Sequence, residues 1–444
     1  MLAGWNVIQI GSSMSSSEPV QERPAPPPAF RWLVLVVISL AMFGNYYVYD
    51  AISPLADVLQ KQLGFSDANI GLLQGIYSVP NVVMVLIGGI LIDRIGVKRA
   101  TFIFALLCFL GAAVTALSPR LAIMATGRLI FGLGAESLIV AVTAAVAQWF
   151  RGKELSFAFG INLLIARLGS FAALNSPTWA RGAFGSWRTP LLIATVFGSV
   201  CVIAAGIYWL MENQAARRYT LRSQGGTDKV VWGDLLKFSP TYWYVVALCI
   251  TFYSGIFPFQ TFAVKFFQDA HGVSRETGGF LSSMLTLFAM VGTPLFGLLV
   301  DRVGKRALFM MLGSLLLIPV YLLMAYTHVS LYVPMALMGI AFSLIPAVMW
   351  PSVAYLVPEE KLGTAYGLMT LIQNVGLAGF NFLIGWANDH SAASAANPGG
   401  YHLGMWIFSC LGFFGFLFAY LLRRAETGPD AKGLETITTA NQPA

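Results

Sequence analysis

The sequence predicts an all-α membrane protein with twelve transmembrane helices arranged as two six-helix halves, and three observations lead to that prediction. Hydrophobic residues make up 57% of the 444-residue chain and charged residues 11%, with a mean hydropathy of +0.71. A soluble domain carries about 25% charged residues, so lipid must cover most of this surface. The other two observations are twelve long apolar segments and a turn sequence that recurs in each half.

The apolar segments are each long enough to cross a bilayer, which takes about 20 residues. We expect them at residues 31–53, 68–92, 99–118, 122–148, 155–180, 189–211, 241–267, 276–300, 307–327, 330–357, 363–388 and 401–422. The longest polar interval, 212–240, is then a cytoplasmic linker between an N-terminal bundle (31–211) and a C-terminal bundle (241–423). Residues 1–30 contain many Ser, Pro and Glu and are expected to form a disordered cytoplasmic tail, and residues 424–444 a second cytoplasmic tail.

The positions of lysine and arginine predict the orientation of the bundle. With the N-terminus inside, 19 of the 27 basic residues fall on the cytoplasmic side, five on the outer side and three within spans. Cytoplasmic loops carry the excess of basic residues in membrane proteins, so both termini are predicted to be cytoplasmic. The predicted N-terminal tail lacks the basic start, apolar stretch and small-residue end of a cleavable signal.

Two turns repeat nearly the same sequence about half a chain apart. They are Gly89–Arg99 (GILIDRIGVKR) and Gly297–Arg306 (GLLVDRVGKR). The repeat continues into later spans, where Gly169 corresponds to Gly376 at almost the same spacing. Parallel repeats of this kind meet along an axis normal to the membrane and place the substrate site between them near mid-depth.

The G-x-x-x-D-R-x-G-x-K-R form of the first turn resembles the loop motif of the major facilitator superfamily, which implies a solute transporter. We expect this loop to gate transport by tying the inner ends of helices together in the outward-facing state, with the second loop as a weaker copy. The gating residues predicted on this basis are Gly89, Asp93, Arg94, Gly96, Lys98, Arg99, Asp301 and Arg302.

A charge of each sign lies deep in the N-terminal half. Glu136 is near the middle of the fourth span and Arg167 near the middle of the fifth. Inserting one such charge into a membrane costs about 2.5–3.5 kcal/mol. Two such charges are therefore expected to have a structural or functional role. One interpretation is a structural ion pair between the two helices. The other is a substrate site, in which Glu136 receives an ammonium group and Arg167 holds a carboxylate through its planar fork. Such a site suits a zwitterion, either an amino acid or a short peptide.

Further residues are candidates for the same cavity or for supporting roles. Arg128 lies in a stretch that resembles the fourth-helix motif of the superfamily, and we expect it to serve structure, gating or proton handling. Asp50 could be its partner or an outer-gate residue, and either Asp50 or Glu136 could carry the proton of a symporter. The fifth span lacks the G-P-x-x-G-G motif of the drug/proton antiporters, which argues against a multidrug exporter.

Aromatic and amide side chains expected to line the cavity are Tyr46, Tyr47, Tyr49, Tyr253, Phe257, Trp350, Gln373, Asn374 and Asn381.

A further set of stretches spreads over most of the chain: Tyr49–Asp50, Tyr77–Val83, Gly127–Leu138, Trp149–Leu155, Ala166–Ser170, Phe257–Phe259 and Trp350–Asn374. Together they resemble one branch of the superfamily, the lysosomal dipeptide uniporter group. The resemblance implies facilitated movement of dipeptides by alternating access. In that group an acid on helix four and an arginine on helix five grip the two ends of the peptide, and Glu136 and Arg167 match those positions. Lys265 falls in a matching context and joins the predicted substrate-binding residues.

The chain also departs from that group. It has no acidic dileucine sorting signal in its N-terminal tail and no glycosylation acceptor in its outer loops. We therefore expect a bacterial relative in an inner (plasma) membrane, and leave the presence of an accessory subunit open.

No catalytic group, metal site or cofactor is predicted. The cysteines lie inside spans without paired spacing, and the histidines lie at span ends or in loops. No nucleophile, base and orienting group form an enzyme-like cluster, and no basic soluble segment suggests a nucleic-acid partner. The expected partners are a small-molecule substrate, with a dipeptide favoured, and the lipid bilayer. The alternatives are a proton-coupled symporter of peptides or organic anions, and a solute-binding sensor or scaffold without transport.

Overall fold

The structure, a computed structural model, describes residue 24 and residues 26–150, 154–219, 238–358, 361–429 and 431–438, except for the side chains of residues 85, 86 and 156. This part of the chain is helical, and its one β feature is an isolated bridge between Ser394 and Asn397. Most of the predicted tail 1–30 and residues 220–237 of the predicted linker lie outside the described residues.

The described part of the N-terminal half contains nine α-helices. They are α1 (Pro28–Asp50), α2 (Ala56–Leu63), α3 (Asp67–Gly75), α4 (Ser78–Ile95), α5 (Val97–Thr115), α6 (Leu121–Phe150), α7 (Leu155–Leu174), α8 (Ser176–Trp179) and α9 (Arg188–Arg218).

The described part of the C-terminal half contains six α-helices, each long enough to span a bilayer. They are α10 (Pro240–His271), α11 (Arg275–Val303), α12 (Arg306–Tyr326), α13 (Tyr332–Leu356), α14 (Leu362–His390) and α15 (His402–Glu426). We call the end of the molecule where α9 ends and α10 begins the linker end, and the opposite end the far end.

Within the described residues, eleven helices are long and apolar enough to cross a membrane. The predicted second span is not one straight helix. It consists of α3 and α4, and the segments Asp67–Met84 and Ile87–Ile95 meet at an angle of 59°, so counting them as one bent span gives twelve. The glycines Gly88 and Gly89 follow this bend, and glycine is among the residues at which helices kink.

The helix boundaries differ from the predicted spans at three further places. The fifth span ends at Leu174 rather than at residue 180, and Pro177 lies in the separate short helix α8. Helix α9 continues through Arg218, into the predicted linker. Helix α15 continues through Glu426, and residues 431–438 of the predicted C-terminal tail pack against the linker end of the C-terminal half, with Leu434 fully buried.

The close packing of helices repeats between the halves, as the duplicated sequence predicts. In the first half α7 packs on α1 at Gly169, where a Cβ would clash with the carbonyl oxygen of Phe43. In the second half α14 packs on α10 at Gly376, where a Cβ would clash with Ile250. Because these two glycines correspond in the sequence repeat, the halves are copies of one packing scheme.

Candidate functional site

A cavity of about 350 Å³ lies between the two halves. Helices α1, α6 and α7 and the junction of α3 with α4 in the first half form its walls, together with α10, α11, α13 and α14 of the second half. Most of its residues lie near the middle of their helices. Its lining consists of Asn45, Tyr46, Tyr49, Asp50, Tyr77, Phe131, Ala135, Glu136, Ile139, Val140, Arg167, Ser170, Tyr253, Phe257, Gln260, Thr286, Phe342, Trp350, Thr370, Gln373 and Leu377.

Glu136 and Arg167 both face this cavity. Within the described residues no salt bridge joins them, so this conformation does not contain the structural ion pair that was the alternative interpretation of the sequence. The Arg167 guanidinium lies 5.6 Å from the ring centre of Tyr46 and 5.2 Å from that of Phe342. Its Nε atom is buried and has no hydrogen-bond partner among the described residues. The site therefore holds a charge of each sign, with donor capacity left over on the arginine.

Arg128 lies beside the cavity but does not line it. It is 1% exposed, and its guanidinium donates to the carbonyl oxygens of Leu73 (3.1 Å), Val48 (3.1 Å) and Tyr49 (3.4 Å) and to Oε1 of Gln74 (3.0 Å). These bonds join the end of α1 to the end of α3. This geometry favours a structural role for Arg128 among the roles expected from the sequence.

Asp50 lines the cavity at the last residue of α1 and is 5% exposed. In the described part of the chain it forms no salt bridge with Arg128, whose donors are directed at the backbone and Gln74. Asp50 is thus a second carboxyl group in the cavity wall, in addition to Glu136.

The wall from the second half is aromatic and pre-organised. The indole Nε1 of Trp350 donates to the hydroxyl of Tyr253 at 2.9 Å, and the Tyr253 ring stacks on Phe257 with centroids 5.7 Å apart. Gln373 lies on α14 beside them and its Oε1 accepts a weak bond from the Cys249 thiol at 3.7 Å. Three of the predicted residues, Tyr253, Trp350 and Gln373, therefore line the cavity together.

Three other predicted substrate-binding residues lie outside the cavity. Tyr47 is next to Tyr46 in sequence, but successive helical residues point about 100° apart. Its ring is 2% exposed and stacks on Phe197 at 3.9 Å. Asn374 is 1% exposed, and its amide oxygen accepts from Nδ2 of Asn81 in the other half at 3.3 Å. Asn381, also expected at the cavity, is fully buried at a contact between the halves.

Lys265, the remaining predicted substrate-binding residue outside the cavity, is buried at the far end of the interface between the halves. Its Nζ atom lies 2.9 Å from Oδ2 of Asp67 and 2.9 Å from the Tyr401 hydroxyl. A lysine that is 2% exposed needs such partners because an unpaired buried charge is strongly unfavourable. Its amino group is therefore engaged by the protein rather than directed at the cavity.

The predicted gating residues lie at the linker end. Asp93, Arg94, Arg99 and Arg302 are exposed there, and Gly89 has no neighbour within 4 Å of a Cβ built on it. Gly96 joins α4 to α5 with a φ of +82°, a conformation that favours glycine.

The two loops are each anchored within their own half. Nζ of Lys98 donates to Asn213 at 2.8 Å and lies 3.7 Å from Glu212, which ties α5 to α9. In the second loop Asp301 pairs with Arg306 at 3.1 Å, and Arg306 also donates to the carbonyl oxygen of Ile437 at 2.6 Å.

The superfamily model whose description is Major Facilitator Superfamily matches residues 38–380 and 259–440. This chain belongs to the Major Facilitator Superfamily. It is therefore a multi-pass integral membrane protein and a transporter.

Comparison with individual superfamily members points to one branch. The chain is 33% identical over 415 residues to the lysosomal dipeptide transporter MFSD1 of Homo sapiens, covering 90% of this chain and 88% of that one. It is 34% identical over 365 residues to the MFSD1 of Danio rerio, covering 78% of each. Among solved structures it is similar to an inward-facing, unoccupied bacterial homolog of the human lysosomal transporter Spinster, with a TM-score of 0.69 and 17% identity over 90% of this chain and 98% of that one.

The cavity also contains polar residues that were not predicted from the sequence. They are Asn45, Ser170, Gln260, Thr286 and Thr370. Several follow a helical spacing from residues that were identified: Asn45 is four positions before Tyr49, and Thr370 is three before Gln373. Side chains three or four residues apart share a helix face, so this periodicity could have found them.

Proposed function

We propose that this transporter moves dipeptides across the membrane as a uniporter, holding the peptide ammonium at Glu136 and the peptide carboxylate at Arg167. The observation that carries the proposal is the pair of opposite charges that face one cavity between the halves and that form no salt bridge with each other within the described residues. The MFSD1 relatives support the same substrate class, since they are named as lysosomal dipeptide transporters.

The surroundings of Arg167 favour a carboxylate ligand. Tyr46 and Phe342 lie against the guanidinium and restrict its orientation. A guanidinium presents five N–H donors in a planar fork that fits a carboxylate in bidentate fashion. The Nε atom itself is buried and has no partner among the described residues. Because Arg167 lines the cavity, a carboxylate bound there would accept from the guanidinium N–H groups that face it.

Glu136 supplies the complementary charge. A peptide ammonium has three donors and no acceptor, like the lysine head group, and a carboxylate in a cavity of low dielectric attracts it more strongly than one in water. Asn45 and Gln373 add neutral acceptors to the same cavity. A ligand that carries both charges satisfies both side chains at once, whereas a sugar or an organic anion satisfies at most one.

We further propose that transport proceeds by alternating access and that this conformation faces inward. The buried charged contacts that join the halves, such as Lys265 with Asp67, lie at the far end. The positive-inside rule assigns the linker end, with both termini, to the cytoplasm. A bacterial inner membrane remains our proposal for the location. In the outward-facing state the loop of Asp93 would come to hold the linker ends of the helices together.

Thermal stabilisation of the purified transporter tests the substrate class. A ligand that binds only the folded state raises the melting temperature according to its occupancy. We expect Ala-Ala to raise it by several degrees, and its N-acetylated and C-amidated forms, free alanine and sugars to raise it much less. Stabilisation by organic anions or sugars alone would contradict the dipeptide proposal.

Asp50 favours one second candidate, a proton-coupled symport of peptides or organic anions. A zwitterion leaves one of the two cavity carboxyl groups without a cation, and that group could carry a proton. Under uniport we expect an imposed pH gradient to leave the final internal dipeptide concentration in liposomes equal to the external one. Uphill accumulation that Asp50→Asn removes would instead establish symport, and binding without any flux would indicate a sensor or scaffold.

A further inference from the structure

The far ends of the two halves are joined by a network of buried charges that the proposed substrate site does not use. Lys265 on α10 pairs with Asp67 on α3 at 2.9 Å, and the two side chains are 2% and 1% exposed. The Tyr401 hydroxyl lies 2.9 Å from the lysine and donates to Asp269 at 2.6 Å. Asp269 itself lies 3.5 Å from the lysine. A lysine of the second half is thus held by an acid of the first.

Asp389, at the end of α14, makes a second contact between the halves at the start of α3. Its two carboxylate oxygens accept from the backbone N–H groups of Asp67 and Ala68, each at 2.8 Å. The first N–H groups of a helix have no partner within the helix and carry partial positive charge. The second half therefore satisfies the first two N–H groups of a helix that belongs to the first half, while the helix's own N-cap residue, Ser66, accepts from the N–H of Asn69.

The backbones of the two halves also approach closely at two places. A Cβ at Gly71 of α3 would clash with the carbonyl oxygen of Asn381 on α14. A Cβ at Gly279 of α11 would clash with the carbonyl oxygen of Leu174 on α7. The two glycines correspond to each other in the internal repeat, and so do the two carbonyl groups, so the repeat relates the two contacts. Glycine at both positions lets the far ends meet without a gap.

We propose that Asp67, Lys265 and Asp389 form a latch that closes the far side of the transport path and breaks once in every transport cycle. The proposal rests on the alternating access proposed above, and it assigns a role to Lys265 other than substrate binding.

The chemistry of the latch suits a contact that must open. An apolar seal would resist opening in proportion to the area it exposes to water. A buried ion pair loses its attraction on opening but regains the hydration of both ions, and these two terms nearly cancel. Removing only one partner has a different effect. The remaining charge is uncompensated and buried in the closed state but hydrated in the open state, so the removal of one partner favours the open state.

The test measures the separation of the far ends directly. Spin labels at Arg120→Cys and Ser330→Cys, in far-end loops of opposite halves, report that distance in a Cys410→Ser background by pulsed electron resonance. We expect Lys265→Met to raise the ratio of long to short distances at least tenfold over the parent. The double variant Asp67→Asn/Lys265→Met buries no unpaired charge of the pair, so its ratio of long to short distances should return most of the way to the parent value.

Further variants keep the test decisive. Asp389→Asn leaves the Lys265–Asp67 pair in place and should shift the ratio in the same direction, so it serves if Lys265→Met does not fold. Arg181→Ala breaks an ion pair between Glu276 and a largely exposed arginine, and it should change nothing because exposed pairs contribute little. Unchanged distances in both Lys265→Met and Asp389→Asn would overturn the latch. The measurement needs no substrate, so this outcome is separate from a failure of the dipeptide proposal.

Discussion

Arg167→Ala is expected to reduce dipeptide uptake into proteoliposomes at least 30-fold under subsaturating conditions. The variant removes the only cation among the residues that line the described cavity, and with it the bidentate bond to the peptide carboxylate. Hydrogen bonds to charged groups contribute about 1.5–3 kcal/mol each, and a loss of about 2 kcal/mol corresponds to about 30-fold in affinity. Arg167→Lys keeps the charge but not the planar fork, so we expect it to recover only a small part of the loss.

The choice of substrate distinguishes lost recognition from general damage. The parent should prefer Ala-Ala over its C-amidated form, and Arg167→Ala should lose that preference while still distinguishing a free from an acetylated amino end. Glu136→Gln should show the reverse pattern. Arg120→Ala, at an exposed arginine of the far end, is the matched control and should transport normally. Normal uptake of Ala-Ala by both Arg167→Ala and Glu136→Gln would refute the assignment of the site.

The second large effect is expected on stability, at Arg128. Its guanidinium satisfies three backbone carbonyl oxygens and the amide oxygen of Gln74, all at the junction of α1 and α3. Arg128→Met fills a similar volume but removes the guanidinium donors from the carbonyl oxygens of Leu73 and Val48 and from Oε1 of Gln74, at about 1–3 kcal/mol for each group that water cannot reach. The carbonyl oxygen of Tyr49 keeps a second donor, Nε2 of Gln74 at 3.3 Å. Summed over these groups, we expect a destabilisation on the order of 3 kcal/mol or more.

The measurement is the melting temperature and the monodisperse fraction of purified Arg128→Met in detergent, compared with Arg120→Ala. Arg128→Lys should be intermediate, because lysine retains a donor group but cannot reach four acceptors in separate directions. A melting temperature of Arg128→Met within a degree of the parent would show that water or a rearranged backbone replaces the guanidinium. A stable Arg128→Met variant that binds Ala-Ala but does not transport it would indicate that Arg128 has a gating role.

The class of fold followed from the sequence because a bilayer restricts a chain so strongly. Apolar segments of the required length can only be spanning helices, and the repeated turns at residues 89–99 and 297–306 divided them into two equivalent halves. The comparison with the superfamily agrees with both predictions. Composition could not show the 59° bend after Met84, because a bent span is as apolar as a straight one.

The candidate site was predicted in part for a related physical reason. Glu136 and Arg167 stand out in the sequence because charges deep in apolar segments are costly, and the structure places both at the cavity. Aromatic residues and amides carry no such signal. Tyr46 and Tyr47 are neighbours in sequence, yet Tyr46 faces the cavity and Tyr47 stacks on Phe197. The reason is that successive side chains of a helix point about 100° apart.

Lys265 illustrates what only the tertiary structure decided. In sequence it is one more charge within a span and invites the same interpretation as Arg167. Its role depends on Asp67, in the other half of the chain, and on Asp389, at the distant end of α14, which meet it only when the halves pack together. The sequence by itself determined the membrane fold, the repeat and the two central charges, because lipid acts on each segment locally. Which charges remain unpaired and which join the halves depended on packing between distant segments, and no local pattern encodes that.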